Sequence, residues 1–278
     1  MNENYIKSPL NYVGGKYKLL KHIIPLFPSE INTFVDLFGG GFNVGANVEA
    51  EHIVYNDIQK EVVEFLNYIK GNNVENLLHE IENYIEVYKL SKENKEGYLQ
   101  LREDYNSGIK TPMKFYTLIC YAFNNQIRFN KNGGYNMPFG KNKSSFNPSL
   151  RNKFIEFCNK VNEIDCVFLN ISFDNFDFSD FDENEFVYCD PPYLNSVASY
   201  NEGNGWTEEH EKKLLEILDG LNDKNIKFAL SNNLKYENKL LQEWKNKYKV
   251  RYLYADYSNC NYQKKDKSKD IEVLITNY

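Results

Sequence analysis

The stretch Val187-Tyr188-Cys189-Asp190-Pro191-Pro192-Tyr193 constrains this chain more than any other. Residues 186–189 have the composition of a short buried strand. The strand must stop there, because proline has no N–H for a ladder and does not sit inside a sheet. Asp190 and Tyr193 are thereby held on a stiff turn at the carboxyl end of a strand, where open α/β sheets bind ligands. Pro191 also leaves the carbonyls of Asp190 and Pro191 free to accept protons. Acceptors beside an aromatic face suit an exocyclic amine on a flat ring. An ordinary Asp-Pro turn has the same residues, so the rest of the chain must decide between the two.

Composition narrows the classes. Of 278 residues 42% are hydrophobic, with 22 tyrosines and 19 phenylalanines. That is enough for a real core, in one large domain or one domain with an inserted module. No apolar run is long enough to cross a bilayer. Met1 to Lys7 lacks the apolar core of a signal peptide. A cytoplasmic protein with no membrane partner is expected. The cysteines (Cys120, Cys158, Cys166, Cys189, Cys260) are odd in number and show no paired spacing, and His22, His52, His79 and His210 form no metal motif. Free thiols and no metal are expected.

The net charge of −6 argues weakly against nucleic acid, and its distribution reverses that. Residues 109–160 carry Lys110, Lys114, Arg128, Lys131, Lys141, Lys143, Arg151, Lys153 and Lys160 against the single acid Glu156. A basic segment on an acidic body suggests a polyanion-binding module.

Near the start, Gly14-Gly15-Lys16 opens apolar recurrence at helical spacing, which places Lys16 in a helix's first turn. A cation there opposes the helix dipole and calls for an anionic partner. A nucleotide P-loop fails, because Leu10 stands at its first glycine and Tyr17 at its magnesium ligand. Residues 33–38 read as a buried strand running into Gly39-Gly40-Gly41-Phe42-Asn43-Val44-Gly45 and then a helix; residues 53–55 are a second strand ending in Asn56-Asp57. A glycine turn with an acid about twenty residues on suits a ribose diol. Asp36, at the mouth of that turn, would repel a dinucleotide's pyrophosphate and attract a sulfonium or ammonium. S-adenosylmethionine is therefore favoured over NAD.

Residues 60–69, 74–90, 92–106 and 112–124 recur as helices and form an inserted module. Residues 125–147 break that pattern with amides, cations and aromatics, including Arg128, Asn130, Lys131, Lys141 and Lys143. Amides and guanidinium groups match purine edges, and lysines match phosphates. After a helix over 148–163, strands are expected at 166–169, 186–189, 227–230, 250–254 and 272–276, and helices at 207–221 and 236–244. The charged loop 264–269 is either solvated or a further phosphate contact.

Taken together, these motifs resemble the Dam-type (D12 class, group alpha) DNA adenine-N6 methyltransferases, nearest to their T-even phage branch. The resemblance rests on residues 12–16, the turn 36–41, Asn56-Asp57-Ile58, residues 88–92, residues 101–106, Pro138-Phe139-Gly140-Lys141 and residues 190–194, in the family's order along nearly the whole chain. It implies a Rossmann-like methyltransferase sheet with a reversed last strand, plus an inserted mainly helical target-recognition domain. Residues 1–57 and 164–278 would form the catalytic domain and residues 58–163 the recognition region. Asp190, Pro191, Pro192 and Tyr193 would be the catalytic motif. Tyr12, Lys16, Asp36, Phe38, Gly39, Asp57, Ile58, Phe173 and Asp190 would hold S-adenosylmethionine. Phe123, Asn124, Gln126, Arg128, Pro138 and Lys141 would contact DNA.

The sequence departs from the family at Asn11, where bacterial members carry a base, at Gln126, at Asn142 and at Ser172-Phe173. The implied activity is methylation of adenine N6 in duplex DNA, at GATC or a related short site, in a bacterial or phage-infected cytoplasm. A cognate restriction endonuclease is a candidate partner. Methylation of cytosine N4 or of RNA, or DNA binding without catalysis, are the alternatives.

Overall fold

Seven short strands take up the apolar runs. The computed structural model describes residues 5–195, 205–253 and 271–278. The strands are β1 (Thr33–Asp36), β2 (His52–Asn56), β3 (Cys166–Leu169), β4 (Glu185–Cys189), β5 (Lys227–Asn233), β6 (Lys249–Leu253) and β7 (Glu272–Thr276). They form one sheet in the order β3-β2-β1-β4-β5-β7-β6. β1 lies parallel to both β2 and β4, with Val35 opposite Val54 and Val187. β7 runs antiparallel to β5 and β6, with Ile275 opposite Leu230 and Val250. The reversed strand expected from sequence is therefore β7, and the order of the sheet turns at β1 and β4. Such a switch point opens a crevice beyond the strand ends. Asp36 registers with Tyr188, so Asp190 emerges just beyond it.

Alternate strand residues feed two cores. Val35, Val187, Phe228, Leu230 and Ile275 meet Leu214, Leu218, Leu241 and Trp244 of helices α7 (Glu208–Asp223) and α8 (Lys239–Trp244). Phe34, Ile53, Tyr55, Phe168 and Tyr188 belong to the other core. That core continues into the segment between β2 and β3, which carries α2 (Lys60–Ile69), α3 (Val74–Val87), α4 (Lys95–Ser107), α5 (Pro112–Tyr121) and α6 (Pro148–Glu163). Phe65, Tyr116 and Phe154 stack there at 5.2 and 4.8 Å. Lys70 ties the end of α2 to the carbonyls of Val161 and Ile164, at 3.2 and 2.6 Å. The helical insertion thus shares its core with the sheet.

The helices start where capping chemistry starts them. Asn73, Asn94, Thr111, Asn147 and Asn238 each accept a backbone N–H of the first turn, and Pro112 and Pro148 follow two of these caps. Thr207 caps α7, as expected, with His210 completing the capping box. Among the described residues no helix is long and apolar enough to cross a membrane. Cys120, Cys158, Cys166 and Cys189 are buried free thiols. Cys260 and the charged loop 264–269 lie outside the described residues.

Two expectations need correction. The helix expected after the glycine turn is one 3-10 turn, Gly45–Asn47. Asn43 and Asn47 spend their side chains on residues 6 and 8, accepting from Ser8 N at 3.1 Å and Ile6 N at 2.7 Å. With three glycines alongside, helix propensity is low. Lys16 likewise opens not an α-helix but a 3-10 turn, Lys16–Leu19, followed by the single α-turn α1 (Leu20–Ile23).

Gly39 packs directly on Tyr55, where an added Cβ would come within 2.2 Å of ring carbons. The Tyr55 hydroxyl donates to Gly40 O at 2.7 Å, so the ring cannot swing away. Gly39→Ala is expected to lower stability by about 1–3 kcal/mol through overpacking. Urea unfolding monitored by circular dichroism should show a lower midpoint at unchanged slope; an unchanged midpoint would contradict this contact.

Candidate active site

The parallel strands in the middle of the sheet end in a polar residue or, for β4, are followed by one, and these ends converge. Asp190 follows β4 and is gripped by Lys16, whose Nζ lies 2.6 Å from Oδ1 and 2.7 Å from Oδ2. The third ammonium hydrogen goes to Gly14 O at 3.1 Å. Lys16 is only 6% exposed, so this is the anionic partner its position called for. Burial pushes the Asp190 carboxyl above the usual carboxylate range, while Lys16 and Tyr193 act to hold it down. Pro191 is buried and Pro192 half-buried. Among the described residues no hydrogen bond takes the carbonyl of Asp190 or Pro191.

Tyr193 lies beside this pair. Its hydroxyl sits 3.3 Å from Asp190 Oδ1 and 3.1 Å from Glu272 Oε2, and the Lys16 ammonium lies 5.1 Å from its ring centre. Sequence reasoning missed Glu272 and Asn233, whose Nδ2 donates to Glu272 Oε1 at 3.0 Å. The available signal was a carboxylate opening the apolar run Glu272-Val273-Leu274-Ile275. In a reversed strand the first residue, not the last, lies at the ligand edge of the sheet.

Asp36 and Asp57 flank the glycine turn. Asp57 accepts from Gly40 N and Gln59 N, both at 2.8 Å. Asp36 accepts from Gly45 N at 3.1 Å. Burial pushes the Asp36 carboxyl up to about 7; the Gly45 N–H opposes this, and the charges of Asp190 and Asp57 add to it. Gly40 adopts φ +48, and a Cβ there would meet the Tyr12 ring at 3.1 Å. Tyr12 and Gly40 thus form a cradle that only glycine leaves open. Phe38 and Phe173 sit 5.3 Å apart, and Trp206, also missed, closes a triangle with them at 5.6 and 5.3 Å. Trp206 donates to the buried Glu211 at 2.5 Å. Ile58 projects into solvent beside Asp57, 70% exposed.

Among the described residues the edge therefore gathers four carboxylates, Asp36, Asp57, Asp190 and Glu272, with the Lys16 ammonium paired to Asp190. Such a donor set suits a ligand that carries positive charge and has hydroxyls to give. It fits a sulfonium cofactor with a ribose and disfavours a pyrophosphate.

The DNA-contact candidates lie together on a loop that α4 pins in place. Asn106 accepts from Tyr135 N at 2.8 Å and donates to Tyr135 O at 3.0 Å. Tyr98 and Arg102 both donate to Met137 O, at 2.8 and 2.9 Å. Phe123, Asn124, Arg128, Pro138 and Lys141 are exposed, and Gln126 is half-buried. Phe123 N donates to Pro138 O at 2.8 Å. Arg128 is held by Asn136, through Nε to Oδ1 at 2.7 Å and Nη2 to O at 2.9 Å. Asn11 joins this loop to the lysine turn: its Nδ2 donates to Asn124 O at 2.7 Å, and its backbone bridges Gln126.

The chain is similar to known proteins. A family model described as D12 class N6 adenine-specific DNA methyltransferase matches residues 12–267. The Type II methyltransferase M.FokI of Planomicrobium okeanokoites is 51% identical over 282 residues, 99% of this chain and 43% of its own length. The modification methylase StsI of Streptococcus sanguinis is 42% identical over 285 residues, again 99% and 43%. The modification methylase LlaI of Lactococcus lactis is 36% identical over 280 residues, 98% and 43%. The chain thus spans less than half the length of these curated relatives.

Asp36 supplies a test of the site's electrostatics. Its folded carboxyl, raised to about 7 from 3.8, binds a proton the unfolded chain has already lost. The stabilisation is complete below the unfolded value and disappears as pH rises through the folded one. Between about pH 5 and about pH 8 the wild-type melting temperature should therefore fall more than that of Asp36→Asn. Parallel curves from scanning calorimetry would show that Asp36 is not buried in this way.

Proposed function

The chain belongs to the D12 class of N6 adenine-specific DNA methyltransferases, and we propose that it transfers a methyl group from S-adenosylmethionine to N6 of an adenine turned out of duplex DNA. The observation that carries this reading is Asp190, a carboxylate ion-paired to Lys16 at 2.6 Å next to a Pro191 carbonyl that no hydrogen bond among the described residues engages. These are two acceptors for the two hydrogens of one amine. The amine lone pair is a weak nucleophile while it is drawn into the ring. Accepting both hydrogens holds it out of the ring plane and orients it. Asp190 then takes the proton that the nitrogen sheds. Tyr193, fixed by its hydroxyl, offers a ring for the base to stack on. Orientation of this kind accounts for most of the rate in such transfers, and the base must leave the duplex to reach it.

Tyr12, Lys16, Asp36, Phe38, Gly39, Asp57, Ile58, Phe173 and Asp190 are the residues to which we assign the cofactor. When bound, it supplies an electrophilic methyl group on a sulfonium. Asp36 and Asp57 favour that charge and the ribose hydroxyls respectively, and Phe38, Phe173 and Ile58 form an apolar border for an adenine.

Residues 1–57 and 164–278 are proposed as the catalytic part and residues 58–163 as the recognition part. Phe123, Asn124, Gln126, Arg128, Pro138 and Lys141 would face the DNA. Arg128 keeps Nη1 and one Nη2 hydrogen free beyond its Asn136 contacts, which suffices for a guanine edge. GATC or a related short site is the proposed target. On motifs the T-even phage branch is the nearest placement. Two of the three relatives are named modification methylases, which favours a modification role, with a restriction endonuclease as partner.

Asp190→Ala should abolish methylation in vitro and, by leaving buried Lys16 without its carboxylate, lower the unfolding midpoint while circular dichroism still shows a folded chain; near-normal turnover would remove Asp190 from the chemistry. Modified bases mapped on a plasmid by single-molecule sequencing should be N6-methyladenines at one short motif, and N4-methylcytosine there would redirect the assignment. Arg128→Ala should relax discrimination at one base pair by about 1–3 kcal/mol. Unchanged discrimination on a panel of single-substitution duplexes would count against its role.

A further inference from the structure

The hydroxyl of Tyr193 has one hydrogen and two carboxylates within reach. Glu272 Oε2 is at 3.1 Å and Asp190 Oδ1 at 3.3 Å. Both carboxylates are shielded from solvent, and Glu272 is only 9% exposed. Asn233 Nδ2 occupies Glu272 Oε1 at 3.0 Å, which leaves Oε2 to face Tyr193. The hydrogen must therefore choose, and its choice sets the acceptor strength of Asp190.

We propose that Glu272 is a positioning residue for the methyl transfer: ionised, it draws the Tyr193 hydrogen to itself and leaves Asp190 Oδ1 open to the target amine. This inference rests on the adenine-N6 reading above. When Glu272 carries a proton, its own hydroxyl donates to the Tyr193 oxygen and the Tyr193 hydrogen turns to Asp190. Lys16 already contacts both oxygens of Asp190, at 2.6 and 2.7 Å. A third donor leaves that carboxylate a poorer acceptor for the amine. Glu272 does not touch the substrate; it acts through Tyr193.

Among the described residues, the groups facing Glu272 come from the lysine turn, β4, the turn after β4, and β5. Lys16, on the turn before α1, favours its ionised form, and Asp190, after β4, opposes it. Tyr193 and Asn233 donate to it. Tyr188 lies behind them on β4, bonded to Ser231 of β5 at 2.8 Å. Burial is the largest influence and raises the Glu272 carboxyl, with Asp190 adding to the rise and Lys16, Asn233 and Tyr193 resisting it. Protonation of Glu272 thus moves toward the working pH range. Activity should be low below that titration and rise through it.

The test is single-turnover methylation of a synthetic duplex at saturating S-adenosylmethionine, from about pH 5.5 to about pH 8.5. In Glu272→Gln the amide oxygen keeps the Asn233 hydrogen bond, so the amide NH2 faces Tyr193 and imitates protonated glutamate. The variant should be about tenfold slower at the alkaline end, with the acid limb of its rate profile flattened. S-adenosylmethionine affinity by calorimetry should stay within about twofold, since the contact is to Tyr193 and not to the cofactor. Tyr193→Phe, which removes the transmitting hydroxyl, should also lose the acid limb whatever its absolute rate, and it serves if the glutamine variant does not fold. Glu272→Gln at the wild-type rate, or slowed equally at every pH with the acid limb intact, would overturn the proposal. Wild-type protein that makes no N6-methyladenine would overturn the adenine reading itself, a separate and distinguishable result.

Discussion

The buried ion pair between Lys16 and Asp190 is the contact on which the site depends. It joins two segments 174 residues apart, one from the start of the chain and one from its middle strand. An ammonium and a carboxylate withdrawn from water are each costly alone, and breaking such a pair commonly costs about 3–5 kcal/mol. The pair therefore keeps the lysine turn closed over the strand ends. It also helps keep Asp190 negative beside Asp36, Asp57 and Glu272, where burial drives each carboxylate toward its neutral form and, for Asp36 and Glu272, neighbouring carboxylates add to the drive. A site with surplus negative charge and one satisfied cation is prepared for a second cation brought by a ligand.

The same turn connects Lys16 to the loop that carries the proposed DNA contacts. Asn11 precedes the lysine turn and binds the backbone of Asn124. Asn124 and Asn125 both hold positive φ, 54° and 52°, a conformation asparagine tolerates better than most residues. Asn125 is anchored by its amide to the last carbonyls of α5, Ile119 O at 3.1 Å and Cys120 O at 2.9 Å. The exposed Phe123 and Asn124 are thus presented on a braced corner and not on a free loop. Because α2 to α6 share the core of the sheet, that corner is rigidly related to Asp190. That rigid relation suits the proposed reading, in which the base displaced toward Asp190 belongs to a duplex held at this corner.

Most of the strands and helices were legible in the sequence. Short apolar runs marked the strands to within about three residues, with β5 running on to Asn233, and Thr207 marked the start of α7. An anionic partner for Lys16 was expected from a helix dipole; the turn is 3-10, and burial of the ammonium is what calls for the carboxylate. Less legible were the glycine turn, where Asn43 and Asn47 bind a distant segment and abolish the expected helix, and the arrangement behind Tyr193. Glu272 and Asn233 are 39 residues apart, and Trp206 stands far in sequence from Phe38. No local pattern links them.

The sequence alone determined which residues end strands and which carry charge: Asp36, Asp57 and Asp190 are each placed by a short run and a turn, through propensities that act over a few residues. Only the tertiary structure decided which of those charges meet. Reversal of β7 brings its first residue, Glu272, to the edge where the other strands finish, and closure of the N-terminal turn brings Lys16 to Asp190. Both are consequences of long-range packing, in which burial of the shared core outweighs the cost of bringing like charges together.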